Sequence, residues 1–139
     1  MTSKRCRVLI VDRSNTCRKV HNRLLTKAGY DCVLPGEDVK SEPEVFDFVK
    51  RALLESTYTV TYGLILTGGD FHLIQAIRNL GYVGAILVIT GNYDVEETAL
   101  LKNLGADDVI SKPLDHQGLN VATAAFAGML PTMRKFWCY

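Results

Sequence analysis

The chain has 139 residues, 47% apolar and 22% charged, which suits one globular domain and argues against disorder. Sixteen basic residues against fifteen acidic ones leave a net charge of +1, so no positive field draws nucleic acid. Runs such as Val8–Val11 and Ala124–Leu130 fall far short of the ~20 apolar residues of a membrane span, and the apolar stretch before Asp12 is too short for a secretory signal.

Arg7-Val-Leu-Ile-Val11 opens the chain as a nearly continuous apolar run, the pattern of a strand buried on both faces. Ser14 or Asn15 then caps a helix with Val20, Leu24, Leu25 and Ala28 at helical spacing, and Gly29 stands where a left-handed terminator belongs. Tyr30–Leu34 reads as a second strand, stopped by Pro35-Gly36. Ser41-Glu-Pro-Glu44 is a capping box, and Val45, Phe46, Val49, Ala52 and Leu53 form the apolar face of the helix it opens. Val60–Leu66 contains the third strand. Asp70 is placed to cap a shorter helix through Leu73, Ile74, Ile77 and Leu80, ended by Gly81. Val83–Ile89 is the fourth strand, Asp94–Gly105 the fourth helix and Asp108–Ser111 the fifth strand. Leu114–Met129 reads as a fifth helix, so residues 1–130 form the domain and 131–139 a tail.

Five strand–helix units predict an α/β sandwich with helices on both faces of a five-stranded parallel sheet. In such sheets the working residues follow the carboxyl ends of the strands. These are Asp12 and Arg13, Thr67–Asp70, Thr90 and Gly91, and Ser111–Pro113. Cys6, Cys17, Cys32 and Cys138 make no CxxC pair, and His21, His72 and His116 give no zinc spacing beside them. Reduced thiols in a cytoplasmic protein are expected; a Cys6–Cys32 bridge would need neighbouring strands in register.

The strand ends resemble the receiver domain of two-component response regulators and hybrid histidine kinases. The residues that carry the likeness are Val8-Leu-Ile-Val-Asp12, Tyr62-Gly-Leu-Ile-Leu66, Ile86-Leu-Val-Ile-Thr-Gly-Asn92 and Gly105-Ala-Asp-Asp-Val-Ile-Ser-Lys-Pro113. The resemblance implies an α/β, flavodoxin-like (βα)5 three-layer sandwich with the strand order 2-1-3-4-5, and a known chemistry. An aspartate after the third strand accepts a phosphoryl group from phosphohistidine, an acidic pair holds Mg²⁺, a Thr and a Lys bind the phosphoryl oxygens, and an aromatic on the fifth strand turns inward. Carboxylate attack on phosphorus brings two anions together, which is why a divalent cation is needed.

Carried over residue by residue, Asp12, Thr90 and Lys112 match, and Pro113 completes the Lys-Pro pair. Arg13 stands where the second acid belongs, Gly68 at the acceptor position and Val109 at the aromatic switch. The loop between Gly68 and the third helix is several residues shorter than the family's. The expectation is a pseudo-receiver: no nucleophile, no metal or other cofactor, and no enzymatic activity. It would dock a histidine kinase, a phosphotransfer protein, other domains of the same hybrid kinase or a second copy of itself.

Other readings stay open at this stage. Asp70 is either the cap of the third helix or an atypical phosphorylation site. Lys112 either binds an anion or holds Asp12 in an ion pair, and Thr90 bonds either a backbone group or the Lys112 loop. Arg13 either fills the volume the metal would take or swings into solvent. Ser14-Asn-Thr16 faintly resembles the phosphate-binding turn of flavodoxins, so a small-molecule binder is a remote alternative, although no Gly lies between Asp12 and Lys27. The tail, with Phe136, Trp137 and Tyr139, is an interface, packs on its own domain, or is a stub of a longer chain.

Overall fold

The computed structural model describes residues 5–55, 60–91 and 94–112. Within them five strands form one sheet: β1 (Arg5–Ile10), β2 (Asp31–Val33), β3 (Val60–Thr67), β4 (Ala85–Thr90) and β5 (Asp108–Ser111). All neighbours are parallel, in the order β2-β1-β3-β4-β5. Four helices connect them: α1 (Asn15–Lys27), α2 (Glu42–Leu54), α3 (Phe71–Asn79) and α4 (Val95–Leu104). The predicted fold class and strand order are those observed. The expected fifth helix, the tail and Pro113 lie outside the described residues.

Alternation along the strands feeds two separate cores, as a sheet covered on both sides requires. Val8, Ile10, Leu64, Leu66, Leu87 and Ile89 pack with Leu25 of α1. Leu9, Val11, Ile65, Ile86 and Val88 pack with Val45 and Val49 of α2, Leu73 and Ile77 of α3, and Leu101 of α4. Each such fully buried aliphatic side chain contributes about 1.5–3 kcal/mol relative to exposure.

The helix boundaries have local causes. The Oγ of Ser14 accepts from the Cys17 backbone N–H at 3.3 Å and opens α1. Ser41 and Glu44 form the predicted capping box of α2. Asp70 caps α3, its Oδ1 accepting from Leu73 N at 3.3 Å, and Asp94 caps α4. Gly105 ends α4 at φ +127°, and an added Cβ would lie 2.5 Å from the Arg78 side chain, so this position is closed to other residues twice over. Arg78 uses that closeness: its Nε and Nη2 donate to Gly105 O at 3.0 and 2.9 Å, and its Nη1 to Gly84 O at 2.8 Å.

Two sequence expectations shift. Val20 does not join the core; it is exposed on α1, whose buried face is Arg18, His21 and Leu25. Val83 lies outside β4 and is 93% exposed. The β1–β3 register slips between Arg7 and Val8, which face Tyr62 and Leu64, so Gly63 is the extra residue of a bulge. Cys32 lies beside Val8 across β1–β2 and is a free thiol, as is Cys17.

Candidate functional site

The strand order fixes where a site belongs. From β1 the chain goes outward to β2, then returns to place β3 on the other side of β1. The crevice at that reversal opens at the carboxyl ends of β1 and β3, where Asp12 and Gly68 stand.

Asp12 is 4% exposed, and both its oxygens are engaged. Oδ1 accepts from Ser14 N at 2.8 Å, an Asx-type turn that also directs Ser14 to its cap position. Oδ2 lies 2.9 Å from Lys112 Nζ. Lys112 is anchored in turn, since its backbone N–H donates to Thr90 O at 2.7 Å. Burial works against its ammonium charge. The Asp12 carboxylate more than offsets this, with help from the Cys17 thiol, and holds Lys112 above the ordinary lysine value. The ion pair between Lys112 and Asp12 weighed in the sequence reading is present.

Gly68 and Gly69 bring bare backbone against this pair. A Cβ at Gly68 would lie 3.2 Å from Asp12 Oδ2, and one at Gly69 would lie 3.1 Å from Thr90 Oγ1. Thr90 is buried. The buried hydroxyl of Thr67, just before Gly68, has no hydrogen-bond partner among the described residues. Val109 is buried in the core formed with α2, α3 and α4, and presents an aliphatic side chain where the resemblance would place a ring.

Arg13 takes neither course expected of it. Its Nε donates to Lys40 O at 3.1 Å and its Nη1 lies 3.6 Å from Asp70 Oδ2. The half-exposed side chain thus spans two loops, at Lys40 and Asp70. Asp70, besides this pairing, is committed to the cap of α3.

These donors do not suit Mg²⁺, which needs oxygens in near-octahedral array. Asp12 has given one oxygen to a backbone amide and the other to an ammonium, Gly68 offers no carboxylate, and Asp70 faces a guanidinium. Among the described residues no three His, Cys, Asp or Glu side chains cluster as a metal site.

Two residues beneath the site escaped the sequence reading. Arg18 is fully buried, its Nη1 donating to Asp12 O at 2.7 Å. His21, one turn on, is buried with Nδ1 unpartnered among the described residues. The positions 18, 21 and 25 carry helical spacing, but the letters Arg and His hide the stripe. Burial lowers the His21 pKa, Asp12 partly opposes this and Lys112 adds to it. A lowered folded value means the unfolded chain takes up the proton first. Stability should therefore be full above the ordinary value of 6.5, fall as pH drops below it, and level off under the folded value. Urea midpoints against pH should show His21→Phe losing that decline; an unchanged slope would remove His21 from the account.

No protein-family model matches the sequence, and a search of curated proteins finds no significant match. Solved structures do match. A response regulator receiver domain protein from Clostridium thermocellum is 19% identical, with a TM-score of 0.68 over 89% of this chain and 96% of that one. A two-component response regulator from Clostridium difficile is 19% identical, with a TM-score of 0.70 over 93% and 100%. A response regulator receiver protein from Pseudomonas putida is 24% identical, with a TM-score of 0.63 over 92% and 99%. The chain therefore has the fold of response regulator receiver domains.

Proposed function

We propose that the chain is a receiver domain of two-component signalling from which phosphotransfer has been removed, and that it works as a protein–protein interaction module. The observation that carries this reading is Gly68 at the carboxyl end of β3, where acceptance of a phosphoryl group requires a nucleophile. The Asp12–Lys112 pair supports it: the remaining acid is already neutralised by the lysine that would bind phosphoryl oxygens. Metal recruitment, enzymatic turnover and phosphorylation-gated switching at Val109 are absent from this reading, and the conformation is constitutive.

The partners that fit are a histidine kinase, a phosphotransfer protein, other domains of the same hybrid kinase, or a second copy. The α4 surface supports docking there, because Val95 and Leu100 project into solvent. The compartment that fits is the cytoplasm, where such relays act; no helix among the described residues is long and apolar enough to cross a membrane.

Beryllofluoride with Mg²⁺ tests the reading by mimicking an acyl phosphate on any competent aspartate. Amide spectra of Thr67–Asp70, Thr90 and Lys112 should not move. A saturable shift that Asp70→Asn abolishes would replace this reading with an atypical receiver phosphorylated on Asp70. Nothing in the site favours that alternative, since Asp70 is occupied by the α3 cap and Arg13.

A further inference from the structure

Three cationic side chains from one short segment, residues 13–19, converge on the loop between β2 and α2. Arg18 Nη2 donates to Gly36 O at 2.9 Å, Lys19 Nζ lies 2.6 Å from Glu37 Oε1, and Arg13 Nε donates to Lys40 O at 3.1 Å. Gly36 O also accepts from Val39 N at 3.1 Å, so both its lone pairs are used and the loop is held in a turn. Arg18 is the buried member; its other donors reach Asp12 O at 2.7 Å and Asn15 Oδ1 at 3.5 Å. Nε of Arg18 is buried with no hydrogen-bond partner among the described residues, so the guanidinium, which has no solvent exposure, depends all the more on the acceptors its Nη1 and Nη2 do reach, Gly36 O among them.

We propose that Arg18, assisted by Arg13 and Lys19, is a clamp that fixes the β2–α2 loop against the carboxyl end of β1, with no metal ion or phosphoryl group required. Contacts then run without a break from Gly36 through Arg18 to the Asp12 backbone, from the Asp12 carboxylate to Lys112, and from Lys112 N to Thr90. The rim of the crevice is set from the β2 edge to β5 by the protein's own side-chain and backbone groups. Arg18 is thus a positioning residue. The inference does not rest on the loss of phosphotransfer, and it holds equally if Asp70 accepts a phosphate.

Hydrogen exchange of the full chain, followed by mass spectrometry, tests it. In the wild type the 36–40 segment should be protected to the same degree in EDTA and in Mg²⁺. Arg13→Ala with Lys19→Ala, two half-exposed positions, should speed exchange there by about threefold while β3 and β4 stay unchanged. Arg18→Met should speed it by about tenfold or more, and Arg18→Lys should recover part of the protection. The proposal is overturned if the Arg13/Lys19 double variant exchanges this segment at the wild-type rate, if Arg18→Met speeds all strands equally, or if wild-type protection depends on Mg²⁺. Should Arg18→Met fail to fold, the double variant decides.

Discussion

Lys112→Met should lower the unfolding free energy by about 2–3 kcal/mol, a loss that follows from leaving Asp12 buried without its cation. Breaking a fully buried pair costs about 3–5 kcal/mol and a surface pair at most about 1. This pair lies between those limits, because Asp12 is buried while the Lys112 side chain is 26% exposed. The companion variant makes the test specific. Asp12→Asn keeps an oxygen for the Ser14 amide and removes the charge, so the Asp12→Asn/Lys112→Met double variant should recover most of the loss. Urea unfolding of the four proteins gives the coupling directly. Additive losses in the double variant would mean that the 2.9 Å contact carries no net energy. The pH dependence runs one way: a lysine held above its ordinary value contributes its full stabilisation at neutral pH, and that contribution is lost as pH rises through the folded value.

Gly68→Asp is the second large effect, and it should destabilise instead of restoring function. The new Cβ would stand 3.2 Å from Asp12 Oδ2, placing two carboxylates against the single ammonium of Lys112. Like charges about 4 Å apart in a partly desolvated site cost several kcal/mol before relaxation, so a net loss of about 2 kcal/mol is expected. Adding Arg13→Asp turns the same crowding into a cation site. Three carboxylates then face one crevice, and Mg²⁺ at about 100 times its dissociation constant should restore about 2.7 kcal/mol. Thermal midpoints with and without Mg²⁺ decide the matter. The double variant should gain and the wild type should not; a comparable Mg²⁺ gain in the wild type would show that Asp12 alone recruits the ion.

Much of the fold was legible because its signals are local. The strands are short apolar runs, and covering the sheet on both faces makes those runs nearly continuous. The helix starts carry their own acceptors at Ser14, Ser41, Asp70 and Asp94, and Gly29, Gly81 and Gly105 adopt the positive φ that ends a helix. The Asp12–Lys112 pair could be anticipated for a related reason: two strand ends at one rim bring their first charged residues together.

The rest depends on partners distant in sequence. Apolar periodicity expects the α1 face to contain Val20, yet Arg18 is buried there because carbonyls at Asp12 and Gly36 await it. Nothing near Arg18 in sequence reports that Gly36 comes close. Arg13 was legible as a departure from the acidic pair but not in its destination, which is set by Lys40 and Asp70 on two other loops. The bulge at Gly63 did have a signal, a glycine within an otherwise apolar strand, which marks just such irregularities.

Loss of the phosphoryl acceptor is most directly tested by intact mass measurement after incubation with Mg²⁺ and either a small acyl-phosphate donor or a phosphohistidine protein. The mass should remain that of the unmodified polypeptide at every time point. A stoichiometric phosphate adduct on Asp12, Asp70 or any other carboxylate would contradict the account.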